Sequence, residues 1–172
     1  TKETDAKSHY FDLIWLFSPT CYNDDLPKYL DIPENRMFDS NFDKPLEHII
    51  NTQKNLIEKK GLDPSEIDMV PVGTATPDMN VASTAVYVAT QIGAVNAFGY
   101  DLQAACSSFL YAMSTAAAYI ESGRYRKVLV IGADKMSSIV DYTDRTTCII
   151  FGDGAGAALF EPNEEGLGLQ DE

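Results

Sequence analysis

One segment joins a soft nucleophile to a local structure that could activate it: Tyr100-Asp101-Leu102-Gln103-Ala104-Ala105-Cys106-Ser107-Ser108-Phe109. An apolar stretch ends, small residues permit a sharp turn, and a helix-forming run begins, with Cys106 at the junction. The start of a helix carries partial positive charge and N–H groups without intrahelical partners, which favours a thiolate. The thiolate is the reactive form of cysteine. Small neighbours on both sides let an acyl chain approach, and the N–H of Cys106 could help hold a developing oxyanion. The same context also suits a buried structural cysteine, because unpaired Cys is among the most buried residues.

The other two cysteines carry less chemistry. Cys148 falls in an apolar run expected to be a core strand, and Cys21 lies in an irregular region with no base nearby in sequence. Gly152-Asp153-Gly154-Ala155-Gly156 could cradle a phosphate, but it lacks the Walker lysine and the dinucleotide spacing. A tight turn with glycine at positive φ is the preferred reading, with Gly152 and Gly154 shaping a wall near Cys106.

The elements that must position Cys106 follow from periodicity. Tyr10–Phe17 could be a strand, and residues 18–43 read as loop. Pro45 suits a first helical turn; Leu46, Ile49, Ile50, Leu56 and Ile57 then lie mostly on one stripe, and Gly61 ends the helix. Asp63–Glu66 is a turn. Met69–Thr74 reads as a strand weakened by Pro71. Ser83 caps a helix running to Gly93, and Phe98–Leu102 is a short strand. An Ala-rich helix spans about Ser107–Ser122, with Gly123 beyond its end. Lys127–Ala133 is a near-continuous apolar strand of the kind buried on both faces. Thr146–Phe151 and Ala155–Phe160 read as two more strands. Strands alternating with helices imply a layered α/β fold with a largely parallel sheet. The division is an irregular segment at 1–44 and a regular domain at 45–172.

Composition excludes several classes. The formal net charge is −13 over 172 residues, and the basic cluster Arg124, Arg126 and Lys127 is small, which argues against nucleic acid and anionic membranes. No apolar run approaches the roughly 20 residues that span a bilayer. Three cysteines without a C-x-x-C pair argue against a disulfide framework or a metal site and fit a reducing cytoplasm. The chain starts at Thr1 rather than Met, which suggests an incomplete chain.

Two segments together carry a family resemblance. Asp101-Leu102-Gln103-Ala104-Ala105-Cys106 resembles the active-site segment of β-ketoacyl-acyl-carrier-protein synthase III, and Asp144-Arg145-Thr146-Thr147-Cys148-Ile149-Ile150-Phe151-Gly152-Asp153-Gly154-Ala155-Gly156-Ala157 resembles its second signature. The resemblance covers roughly residues 45–172. It implies a thiolase-like α-β-α fold, of which this chain supplies one half of the usual two. It implies an acyltransferase that starts fatty-acid synthesis: Cys106 accepts a short acyl group from acyl-coenzyme A and condenses it with malonyl-acyl-carrier protein, losing carbon dioxide. Arg145 is then expected against the coenzyme A adenine, Phe151 along the tunnel, and Val81 where the family places an aromatic that reaches the neighbouring subunit's tunnel. No permanently bound cofactor is implied. A homodimer is, with the strand before the cysteine pairing across its axis. Read without the family, Arg145 is a solvated loop charge or an ion-pair partner of Asp144 or Asp141.

The sequence departs from the family where the second half supplies chemistry. Segments like Pro-His-Gln-Ala-Asn and Gly-Asn-Thr-Ser are missing, and the two histidines, His9 and His48, lack that context. The glycine-rich first strand is also missing, and Trp15 reads as core rather than as the family's adenine-stacking Trp. The alternative reading is therefore a non-catalytic thiolase-fold domain kept for binding or dimerisation. An unrelated hydrolase or nucleotide-binding domain is disfavoured by the lack of Gly-x-Ser-x-Gly and of a dinucleotide fingerprint.

Overall fold

The computed structural model describes the backbone of strands at residues 10–17 and 37–38, residues 50, 54, 57 and 58, and the continuous stretch 61–162. The strands are β1 (Tyr10–Phe17), β2 (Met37–Phe38), β3 (Met69–Gly73), β4 (Phe98–Leu102), β5 (Val128–Asp134) and β6 (Gly154–Glu161), and the helices are α1 (Thr84–Ile92) and α2 (Ser108–Glu121). They form one six-stranded sheet in the order β2-β1-β6-β5-β3-β4. The pairs β1–β2, β3–β4 and β3–β5 are parallel, and β6 runs antiparallel to both neighbours.

Alternation along the buried strands builds the layers. Successive side chains of a strand point to opposite faces. Leu129 and Ile131 of β5, with Val70 and Val72 of β3, join Ala85, Val88, Ala89 and Ile92 of α1 in one apolar cluster. Val128 and Val130, with Met69, join Ala112, Met113, Ala116 and Ile120 of α2 in the other. The sheet is thus sandwiched between helices, the α-β-α arrangement expected. Its centre is fully buried: Val70, Val72, Val128, Leu129 and Val130 are each 0% exposed. By area bookkeeping, each such side chain contributes about 1.5–3 kcal/mol.

The expected strand at Tyr10–Phe17 pairs with β6 from Tyr10↔Glu161 to Phe17↔Ala155, so it shares the sheet with the strands after residue 61. Ile50 and Ile57 are helical and buried, whereas Lys54 and Glu58 are helical and exposed, as the predicted stripe requires. Gly61 follows at φ +62°. Otherwise the first helix, His48, His9, Cys21 and the side chain of Trp15 lie outside the described residues.

The strand read at Met69–Thr74 is β3, which contains Pro71 and lies between β4 and β5. The register with β5 includes Met69, Val72 and Gly73 but neither Val70 nor Pro71, so the ladder breaks where the missing N–H falls. Two expectations need correction. Thr146–Phe151 is not a strand but a series of turns. The Asp144 carboxylate accepts hydrogen bonds from Thr146 N, Thr146 Oγ1 and Thr147 Oγ1, and Cys148 N–H donates to the Asp144 carbonyl. These local bonds compete with strand formation. Cys148 is therefore half-buried on a turn, not in the core, and Ile149 and Ile150 are exposed. Finally, neither Gly152 nor Gly154 has positive φ; Gly154 already begins β6.

Candidate active site

The parallel strands β3, β4 and β5 end at the same edge of the sheet, because Gly73 pairs with both Leu102 and Gly132. The antiparallel β6 begins there, with Gly154 opposite Asp134. Every predicted site residue therefore lies on a segment leaving one edge. Val81 is on the loop after β3, Cys106 on the turn after β4, Arg145 and Phe151 on the segment after β5, and Gly152 and Gly154 at the entry to β6. The carboxyl edge of parallel strands is where open α/β sheets bind ligands.

Cys106 is exposed and lies in a 3-10 turn, Ala105–Ser107, between β4 and α2. Ala105 has φ +48°, the only positive φ of a non-glycine residue among those described. An L-residue in that region costs about 1–2 kcal/mol, and such strain persists only where surrounding structure enforces it. The enforcing contacts are visible. Ser108 is 3% exposed; its Oγ accepts from Ala104 N–H at 2.8 Å and donates to the Ala105 carbonyl at 2.6 Å. Beneath it, a Cβ added at Gly73 would lie 2.7 Å from Ser108 C and 2.9 Å from Phe109 N. A Cβ added at Gly132 would lie 2.9 Å from the Phe109 ring. Both strands carry a glycine at this level because the start of α2 rests directly upon them. The result is an exposed sulfur on a tightly held turn, leading into a helix that carries no side-chain cap from Ser107.

Three aspartates staple the surrounding loops. Asp101 on β4 accepts from Ser83 Oγ (2.9 Å), Thr84 N (2.8 Å) and Ala85 N (2.8 Å). It is thus the cap of α1; Ser83, expected in that role, instead donates to Asp101 and makes no side-chain cap bond. Asp134, the last residue of β5, accepts from Ala75 N at 2.7 Å and from Thr74 and Thr76 Oγ1 at 3.4 Å. Asp153 accepts from Ser137 N (2.7 Å) and Ser137 Oγ (2.6 Å), which ties the turn before β6 to the segment after β5.

The predicted substrate residues face outward. Val81 is 100% exposed and Phe151 44% exposed. Arg145 is exposed and has no ion-pair partner among the described residues. Its neighbours are occupied elsewhere: Asp141 accepts from Thr143 N and Oγ1, and Asp144 from Thr146 and Thr147. Side-chain hydrogen bonds from these threonines hold both carboxyl groups below the usual aspartate value of 3.8. Among the described residues the guanidinium is left as an available cation on an acidic chain. Sequence reasoning missed Ser108, Gly73, Gly132 and the three stapling aspartates. A signal existed in part: both buried strands carry, near their carboxyl ends, a Gly followed by a small residue, Gly73-Thr74 and Gly132-Ala133.

Comparison with known proteins bears on the fold and the family. Residues 100–171 match the family model for 3-oxoacyl-[acyl-carrier-protein] synthase III. The chain is 56% identical over 118 residues to β-ketoacyl-[acyl-carrier-protein] synthase III 2 of Bacteroides thetaiotaomicron, covering 69% of this chain and 35% of that protein. It is 51% identical over 124 residues to the synthase III of Koribacter versatilis, covering 71% of this chain and 37% of that one. Among solved structures, the synthase III of Aquifex aeolicus superposes with a TM-score of 0.61 at 43% identity, over 63% of this chain and 35% of the other. The synthase III of Thermus thermophilus does so with 0.65 at 30% identity, over 94% and 51%. The chain spans about a third of the length of the curated relatives it matches. Sheet, helices and site together define a thiolase-like condensing-enzyme fold. Within that class, over its matched residues, the chain belongs to the 3-oxoacyl-[acyl-carrier-protein] synthase III family, whose members are condensing acyltransferases.

Proposed function

We propose that this chain is the nucleophile-bearing half of a synthase III condensing enzyme. The observation that carries the reading is the exposed Cys106 on a strained turn at the start of α2, at the carboxyl edge of the sheet. In the first step Sγ of Cys106 attacks the thioester carbonyl of a short acyl-coenzyme A. A new C–S bond forms, the bond to the coenzyme A sulfur breaks, and coenzyme A leaves as a thiolate. The Cys106 N–H donates toward the oxygen that gains charge, and the helix start stabilises the charge. Arg145 supports coenzyme A as the acyl carrier, being an exposed cation on the same edge with no ion-pair partner among the described residues. Phe151 and Val81 supply apolar surface for the acyl chain and pantetheine, and Gly152 and Gly154 shape the adjoining wall.

In the second step malonyl-acyl-carrier protein loses carbon dioxide, and the resulting carbanion displaces Cys106 from the acyl group. That step needs donors to the malonyl thioester carbonyl, and this chain lacks the His and Asn segments that supply them. We therefore assign it acylation of Cys106 but little condensation unless the remaining half is present, since removing such a constellation costs orders of magnitude in rate. No helix among the described residues is long and apolar enough to cross a membrane, and the free thiols of Cys106 and Cys148 fit the reducing cytoplasm.

One observation favours a second reading, a dimerisation domain. β4 is the outermost strand, its outer edge is unpaired among the described residues, and Val86 and Tyr87 are exposed on the helix packed against it. An open edge is a template for another strand, and a homodimer through β4 accompanies either reading. Intact-mass spectrometry after exposure to acetyl-coenzyme A separates the two. The enzyme reading expects an acetyl adduct that Cys106→Ala abolishes. An unmodified wild-type chain that sediments as a dimer leaves only the second.

A further inference from the structure

We infer that Ser108 is a positioning residue for Cys106, its buried hydroxyl fixing the turn on which the sulfur is presented. The inference deepens the proposed acyl-transfer function and rests on it for its meaning, though not for its test. Four observations converge. Ser108 is the one buried polar residue of the turn and helix start, at 3% exposure. Its hydroxyl bridges the two residues immediately before Cys106, accepting from Ala104 N–H and donating to the Ala105 carbonyl. Ala105 is the described non-glycine residue with positive φ, so the bridge spans the strained linkage. Gly73 leaves no room for Ser108 to retreat, because its absent side chain is the space Ser108 occupies.

The backbone bonds alone do not hold this conformation. Ser107 N–H donates to the Ala104 carbonyl at 3.1 Å and Ser108 N–H to the Ala105 carbonyl, which is ordinary 3-10 geometry. Neither engages the Ala104 N–H; the hydroxyl does. Without it Ala105 can relax toward negative φ, and the direction in which Cys106 leaves the backbone turns with it. Positioning matters here because a displacement of about 1 Å between reacting groups costs on the order of a hundredfold in rate.

The test compares Ser108→Ala with the wild-type chain in two reactions. At saturating acetyl-coenzyme A, the rate constant for Cys106 acylation is expected to fall at least fivefold, while the half-saturating concentration stays within twofold. With iodoacetamide, the alkylation rate of Cys106 relative to Cys148 in the same molecule is expected to change at least threefold. A core variant, Val130→Ala, is expected to lower stability and leave that ratio unchanged. Should Ser108→Ala fail to fold, Ser108→Gly removes the hydroxyl without adding an atom against Gly73 and is expected to give the same ratio change. A wild-type alkylation ratio in the soluble variant overturns the inference. A wild-type chain that takes no acetyl group, with a ratio that still responds to Ser108, supports the positioning role and instead overturns the proposed function.

Discussion

Replacing Gly73 by Ala puts a methyl group where the start of α2 already lies. The added Cβ would stand 2.7 Å from Ser108 C, 2.8 Å from Ser108 Cβ and 2.9 Å from Phe109 N. Comfortable carbon–carbon separations are about 3.5–4.0 Å, so α2 and the turn before it must move by about 1 Å. Two of those three atoms are backbone, and no rotamer change relieves them. Overpacking of this kind costs about 1–3 kcal/mol, or about 3–10 °C in melting temperature for a chain of this size. The larger effect falls on chemistry: a shift of about 1 Å at the nucleophile costs about a hundredfold in acylation rate. The assay is acetyl transfer from acetyl-coenzyme A to Cys106, followed by quenched mass spectrometry alongside a thermal melt. Gly61→Ala is the control. It sits at φ +62° with nothing among the described residues within 4 Å of an added Cβ, so strain costs it about 1 kcal/mol of stability while acylation proceeds as in wild type. A Gly73→Ala chain that acylates at the wild-type rate refutes the argument that the sheet sets the depth of the cysteine turn.

Asp101→Ala removes the acceptor of three hydrogen bonds at the start of α1 and is expected to cost about 1–2 kcal/mol. Limited proteolysis then cuts within residues 77–83 faster than in wild type, and unchanged cleavage argues against the cap. The turn holding Arg145 has a defined pH response. The Asp144 carboxyl is held below 3.8 by Thr146 and Thr147, so its stabilisation is complete above that value and is lost as pH falls through the lower folded value. Amide exchange protection at Thr146–Cys148, corrected for intrinsic rates, should stay flat from neutral pH down to that region and then drop; a loss well above 3.8 contradicts the assignment. Arg145→Ala is expected to raise the half-saturating acetyl-coenzyme A concentration severalfold with no change in melting temperature. The same shift with an acyl donor that lacks the adenine nucleotide tells against an adenine contact.

The parts of this fold that were legible are those governed by short-range periodicity. The continuous apolar run at 128–131 could only be a doubly buried strand, and Gly93 and Gly123 marked helix ends that the structure places at φ +85° and +71°. Cys106 was legible because strand, small residues and helix follow one another without interruption. What escaped were contacts between segments far apart in sequence. Ser83 looked like a cap because Ser often is one, yet the capping carboxylate comes from Asp101, and nothing local in the sequence says that β4 lies under α1. The run at 146–150, β-branched apart from Cys148, looked like a strand, but the Asp144 carboxylate captures two threonine hydroxyls and winds it into turns. Ser108 looked like an ordinary small residue of the helix start; only its burial against Gly73 shows what its hydroxyl spans.

Peptide mapping of the acetylated chain probes the nucleophile most directly. After brief exposure to acetyl-coenzyme A and digestion, the acetyl group is predicted on the peptide containing Cys106, labile to hydroxylamine as a thioester is, with Cys148 unmodified. Acetyl found equally on Cys106 and Cys148, or on lysines alone, would contradict a sulfur selectively prepared for acyl transfer.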